Sequence, residues 1–171
     1  GSSSVLHSLR AGVAVAERLG RERPEWELAA GQLAHAIAHR RELFEPKERW
    51  AMDWYYPVLC GALHGADARA HLEERWAEFV MDGLGVRCVT DRPWATAAET
   101  AECAIACAIS GMRAEAGRLL KYTRHMRNSD GSYFTGCVHP QCVRFPADER
   151  STYTAAAVVL ADDVLKGGTA T

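Results

Sequence analysis

The sequence predicts an all-α fold built from helical hairpins. Three observations carry that expectation: apolar residues recur at helical spacing, glycines punctuate the runs, and amphipathic helices alternate with helices that are apolar nearly all round. Seven helical segments follow, over residues 4–19, 24–41, 49–63, 66–79, 94–110, 112–127 and 151–165, and essentially no strand is expected. Gly20, Gly65, Gly111 and Gly167 stand at or just past four of the ends, where glycine takes the left-handed conformation that stops a helix. Pro24 suits a first turn, because the N–H it lacks would have had no partner there.

The segments differ in character. Residues 24–41 set Trp26, Ala30, Leu33 and Ile37 against Glu25, Arg40 and Arg41. Residues 66–79 set Leu72, Trp76 and Phe79 against Arg69, Glu73 and Glu74, and residues 112–127 do the same with Leu119, Leu120 and Met126 against Arg113, Glu115 and Arg118. Each has one wet face and belongs on the outside. Segments 49–63, 94–110 and 151–165 carry runs such as 101–109 and 155–161 with little polar surface, so they need cover on every side and belong inside. Outer and inner helices in alternation make a closed or curved stack of hairpins.

An acid, an arginine and an aromatic precede each of these inner helices: Glu48-Arg49-Trp50, Asp91-Arg92-Pro93-Trp94 and Glu149-Arg150-Ser151-Thr152-Tyr153. If the three are equivalent, Trp50, Trp94 and Tyr153 gather around one concavity, with Asp53 and Glu99 facing it. The long loops 80–93 and 128–150 both lead into inner helices at one end of the stack, while Gly65 and Gly111 make tight turns at the other. Elaborated loops on one face are where binding usually resides.

Composition narrows the class. At 48% hydrophobic, 25% charged and a net charge of −2, the chain is neither disordered nor equipped with a basic footprint for nucleic acid or anionic lipid. No apolar stretch is long enough to span a membrane and no signal peptide opens the chain, so a cytoplasmic protein with a small-molecule substrate is expected. Six irregularly spaced cysteines, two of them (Cys103 and Cys107) in a helical apolar run, suit reduced thiols.

The alternating helices and the Asp130-Gly131-Ser132-Tyr133 turn resemble the α/α-toroid superfamily of terpenoid cyclases and protein prenyltransferases. The stretches from Arg49 to Pro57 and from Gly83 to Cys88 are similar more narrowly to actinobacterial prenyltransferase-like proteins. The resemblance covers almost the whole chain. It implies an α/α toroid, here a partial barrel forming one domain over residues 1–171. It also implies that this domain is the C-terminal half of a longer protein, with the N-terminal half as its partner. The function implied is prenyltransferase-like or terpenoid-cyclase-like, acting on an isoprenoid. The Asp-x-Asp-Asp and Asp-Asp-x-x-Asp motifs of the cyclases and ionising synthases are absent, and Asp162-Asp163 sits at a helix C-terminus, where the dipole disfavours anions. Six-hairpin glycosidases share the toroid logic and place carboxylates and aromatic platforms at the same end. Acid/base cleavage of a sugar is therefore the alternative, and a non-catalytic toroid that binds a ligand or a protein is the third.

The candidate catalytic residues are carboxylates near that end: Asp53, Asp91, Glu99 and Glu102. Asp53 lies among Trp50, Trp54, Tyr55 and Tyr56 just before Pro57, where a helix should start or kink; it suits a general acid, or equally a helix cap. Glu99 and Glu102 are three apart on one face of an apolar helix and need a substrate, a wet cavity, or pairing with Arg87, Arg92 or Arg150. Substrate contacts are expected from Trp50, Trp54, Tyr55, Arg87, Arg92, Trp94, Asp130, Tyr133, Glu149, Arg150 and Tyr153, since flat aromatics stack on sugars or face carbocations. The acid-arginine pairs could instead tie loops to helix starts. Cys137-x-His139-x-x-Cys142 offers three metal ligands and no clear fourth, so neither metal nor cofactor is expected, and chelators should leave stability unchanged.

Overall fold

The computed structural model describes residues 1–168, so the last three residues of the expected domain lie outside it. Among the described residues eight α-helices run in chain order: α1 (Ser2–Arg18), α2 (Pro24–His39), α3 (Ala51–Leu59), α4 (Gly65–Glu74), α5 (Trp76–Phe79), α6 (Ala97–Ile109), α7 (Arg113–Tyr122) and α8 (Thr152–Lys166). The chain is mostly helical, as the periodicity implies. It also holds a five-stranded antiparallel sheet, β1 (Val80–Met81), β2 (Gly85–Arg87), β3 (Trp94–Thr96), β4 (Gly136–Val138) and β5 (Val143–Arg144), in sequential order.

The sheet corrects the strand-free expectation. Both long loops fold into it: the first supplies β1, β2 and the approach to β3, and the second supplies β4 and β5. Strands of two or three residues are too short to show an alternating pattern in sequence. They still shape the chain, because β3 pairs β2 on one side and β4 on the other and then runs directly into α6. Thr96 ends β3 and caps α6, its hydroxyl accepting the N–H of Glu99 at 3.2 Å. A second lock ties sheet to helix, where the Thr100 hydroxyl accepts the N–H of Val86 at 2.9 Å.

α6 is the centre of the molecule. Alanine and cysteine dominate it, so neighbours approach closely, and α3, α7, α8 and the sheet all touch it. Every residue from Ala97 to Ala108 is buried. α3 is likewise enclosed, with Trp54, Tyr55 and Val58 at 1% exposure or less. It begins at Ala51 rather than at Pro57, which lies inside its last turns. A second, smaller core of Leu6, Ala30, Ile37, Cys60 and Ala62 lies where α1 and α2 meet the end of α3. There Arg10 donates to the carbonyl of Cys60 at 2.6 Å. α8 departs from the expectation of full cover: Val159 and Leu160 are 67% and 55% exposed.

Candidate active site

The N-terminal halves of α3, α6 and α8 converge on one carboxylate. Glu102, in the second turn of α6, accepts the hydroxyl of Tyr55 at 2.6 Å on one oxygen. On the other it accepts the hydroxyls of Tyr153, from the first turn of α8, and of Tyr56, the latter at 3.5 Å. Tyr56 and Tyr153 lie 3.4 Å apart. Burial, reinforced by the Glu102 charge, pushes the Tyr55 phenol well above its usual range and Tyr56 up to about 12, so both hold their protons and act as donors. Glu102 is thus fixed in place by phenols rather than by arginines.

Glu102 faces a groove of about 370 Å³ with Tyr56, Tyr153, Ile105, Leu160 and residues of α1 along its walls. A wider cavity of about 700 Å³ lies on the other side of Tyr56 and takes in Asp53, Pro57 and Lys47. Asp53 sits exposed on the first turn of α3, where partial burial holds its carboxyl above the usual carboxylate range against the pull of Lys47. Tyr56 borders both spaces.

Glu99 is buried one turn before Glu102 and lies close enough to the Cys88 thiol for the two to influence each other's ionisation. Burial is the main cause that raises its carboxyl, and the nearby Glu102 adds to it; burial and Glu99 together push the Cys88 thiol up to about 12. Among the described residues no arginine forms an ion pair with Glu99 or Glu102, so the expected pairing with Arg87, Arg92 or Arg150 is not what the structure contains. Arg87 instead reaches the carbonyl of Thr90 at 3.4 Å, with its Nε buried and unpartnered.

The other expected residues are scattered. Asp91 is half exposed in an ion pair with Arg49 at 2.9 Å, which holds its carboxyl below the usual range, and Arg92 is exposed beside it. Trp54 is 1% exposed and stacks on Phe79 at 5.1 Å in the core. Trp50 precedes α3 and borders a shallow recess with Pro46 and Lys47, while Trp94 packs edge-on against Phe145 at 5.0 Å and Tyr153 reaches Glu102. Each of the three aromatics lies within three residues of the start of an inner helix, but they occupy different surroundings, because Trp94 belongs to a strand and Trp50 borders an open recess. Asp130 tightens its own turn through Ser132 and pairs with Arg150 at 2.8 Å, and Glu149 accepts from Thr135 at 2.8 Å. These are loop ties. Tyr133 is half-buried against the core and forms an isolated bridge with Arg127.

Three participants escape a reading of the sequence. Tyr56 is indistinguishable there from its neighbours, and Cys88 and Thr96 depend on a sheet that periodicity does not reveal.

No family model matches the chain. It is 49% identical over 165 residues, 96% of its length, to a protein named MMP endo-(1,4)-3-O-methyl-α-D-mannosidase from Mycolicibacterium hassiacum. The match takes up 46% of that protein, so the chain spans about half the length of the curated relative. This likeness overturns the prenyltransferase-like and terpenoid-cyclase-like expectation, and it points to the glycosidase-like alternative. Among the described residues, no helix is long and apolar enough to cross a membrane.

Proposed function

We propose that the chain forms part of a glycosidase-like enzyme that cleaves a methylated, α-linked mannose polymer at internal bonds. The observation that carries the reading is the 49% identity across nearly the whole chain to a protein named for that activity. The helices would make one arc of an α/α toroid. In support, α1 touches α3, α3 touches α6 and α6 touches α8 in turn, while α2, α4 and α7 each pack on the helix before them. The rest of a longer protein would complete the ring and cover α8.

Glycoside cleavage requires one carboxyl group to protonate the leaving oxygen and another to act as base or nucleophile. Glu102 is the group we assign to the second task, because two or three phenols fix its orientation at the groove wall. Asp53, although its carboxyl is raised, opens onto the neighbouring cavity rather than onto the groove of Glu102, so the proton donor for a bond held in that groove is not assigned to it. Tyr56 and Tyr153 offer aromatic faces to a sugar ring as well as hydroxyls to the carboxylate. Incubating the longer protein with a 3-O-methylmannose polysaccharide tests the reading. Early products of intermediate length are expected; no cleavage, or release of single sugars only, would overturn it.

A further inference from the structure

We propose that His125, Cys137, His139 and Cys142 form a structural zinc site, separate from the carboxylate groove. The inference does not depend on the glycosidase reading. The fourth donor missing from the sequence pattern is His125, twelve residues before Cys137, in the 3-10 turn Thr123–Met126 that follows α7. One ligand atom from each of the four residues lies within 4.8 Å of all the others. Cys137 Sγ is 3.3 Å from His139 Nε2 and 3.7 Å from His125 Nε2. A tetrahedral zinc bound at ordinary lengths sets sulfur and nitrogen about 3.6 Å apart, within the range those two distances span.

The donor chemistry selects the metal. Two thiolates and two imidazoles are soft and borderline ligands that suit zinc and repel magnesium or calcium, and together they neutralise a divalent charge in a partly buried place. Cys137 and His139 are buried while His125 is exposed, so the site opens to solvent on one side for loading. Four protein ligands leave no open position, which makes the site structural rather than catalytic.

The location fits a staple. Residues 127–150 hold only two short strands, and Val143 and Phe145 are more than half exposed, so this segment has little core of its own. Cys142 adopts φ 51°, a left-handed conformation that a non-glycine residue keeps only where its surroundings dictate it. β4, which carries Cys137 opposite Ala95, pairs with β3 and so connects the site to the Thr96 cap of α6. A metal here would hold the sheet against the helix that carries Glu99 and Glu102.

The structure joins Cys137 and Cys142 as a disulfide. That bond uses the same two sulfurs, formed by loss of two electrons and two protons, whereas zinc binding releases the two thiol protons and leaves sulfur unoxidised. Zinc would hold the sulfurs about 3.8 Å apart, so the two side chains must part. A disulfide has no need of two imidazole Nε2 atoms turned towards it; a metal does.

The test uses the whole chain purified under reducing conditions without chelator. Elemental analysis should find about one zinc per chain. Thiol titration after unfolding should find all six cysteines reduced. Replacing zinc with cobalt should give a thiolate-to-cobalt charge-transfer band and the visible bands of a tetrahedral ion. Removing the metal should lower the melting temperature, and zinc should restore it. His125→Ala should lose the cobalt spectrum, while His64→Ala, on a distant turn, should keep it. A reduced chain that takes up neither zinc nor cobalt, one that retains the Cys137–Cys142 disulfide, or a cobalt spectrum unchanged by His125→Ala would each overturn the proposal.

Discussion

α6 and α8 read alike in sequence and differ sharply in the folded chain. Both are rich in alanine with few polar residues, both follow an acid-arginine pair, and both start at a hydroxyl cap, Thr96 for α6 and Ser151 for α8. Yet twelve consecutive residues of α6 are buried, against five scattered residues of α8. Composition tells what a helix can bury, and the neighbours decide what it does bury. α6 has helices and a sheet around it, whereas one face of α8 has none. Covering what remains exposed of Val159 and Leu160 would stabilise the protein by about 1–2 kcal/mol each.

The largest effect should come from breaking the enclosure of α6. Ala104 has no exposed surface, and Ala104→Asp puts an unpaired carboxylate where no water reaches, so a loss of several kcal/mol or outright unfolding is expected by denaturant titration. An intermediate effect should appear in pH dependence. Burial raises the Glu99 carboxyl above its ordinary 4.5, so the folded chain holds that proton more tightly than the unfolded chain does. The stabilisation this provides is full below about pH 4.5 and is lost as pH rises through the folded value. Glu99→Gln has no such proton to release, so its stability relative to the parent should climb as pH rises through that window; parallel curves would show that Glu99 ionises as if in water. The smallest effect belongs to α8. Leu160→Asp should change the stability of this chain by no more than about 0.5 kcal/mol, and a loss as large as that of Ala104→Asp would erase the contrast between the two helices.

What the sequence reveals follows the same division. The helices are legible because each buries a stripe at a period that the residues display, and Gly111 and Gly167, both at positive φ, mark real ends. That α3, α6 and α8 pack on one another in turn is legible from the same alternation. The sheet is not, since its strands are set by pairing between loops far apart in the chain, as in Ala95 with Cys137. Part of the site follows suit. Glu102, Tyr55, Tyr153 and Asp53 stand out as polar or aromatic groups at inner-helix starts, and the structure brings the first three together. Asp91 and Trp54 share those signals and end in a surface ion pair and the core, because residue type does not say which way a side chain faces. The metal ligands show the limit most clearly: Cys137, His139 and Cys142 are close in sequence, while His125 joins them only through the fold.

The central claim is that Glu102 does chemistry on a sugar, and one paired measurement tests it most directly. Glu102→Gln in the longer protein keeps the shape of the side chain and one acceptor oxygen, for the phenol of either Tyr55 or Tyr153, leaves the other phenol to accept from the amide N–H, and removes the charge. The account predicts that kcat on the methylmannose polymer falls by about 10²–10⁴-fold while the melting temperature stays within a few degrees of the parent. Activity within a few-fold of the parent, in a variant that is folded, would contradict it.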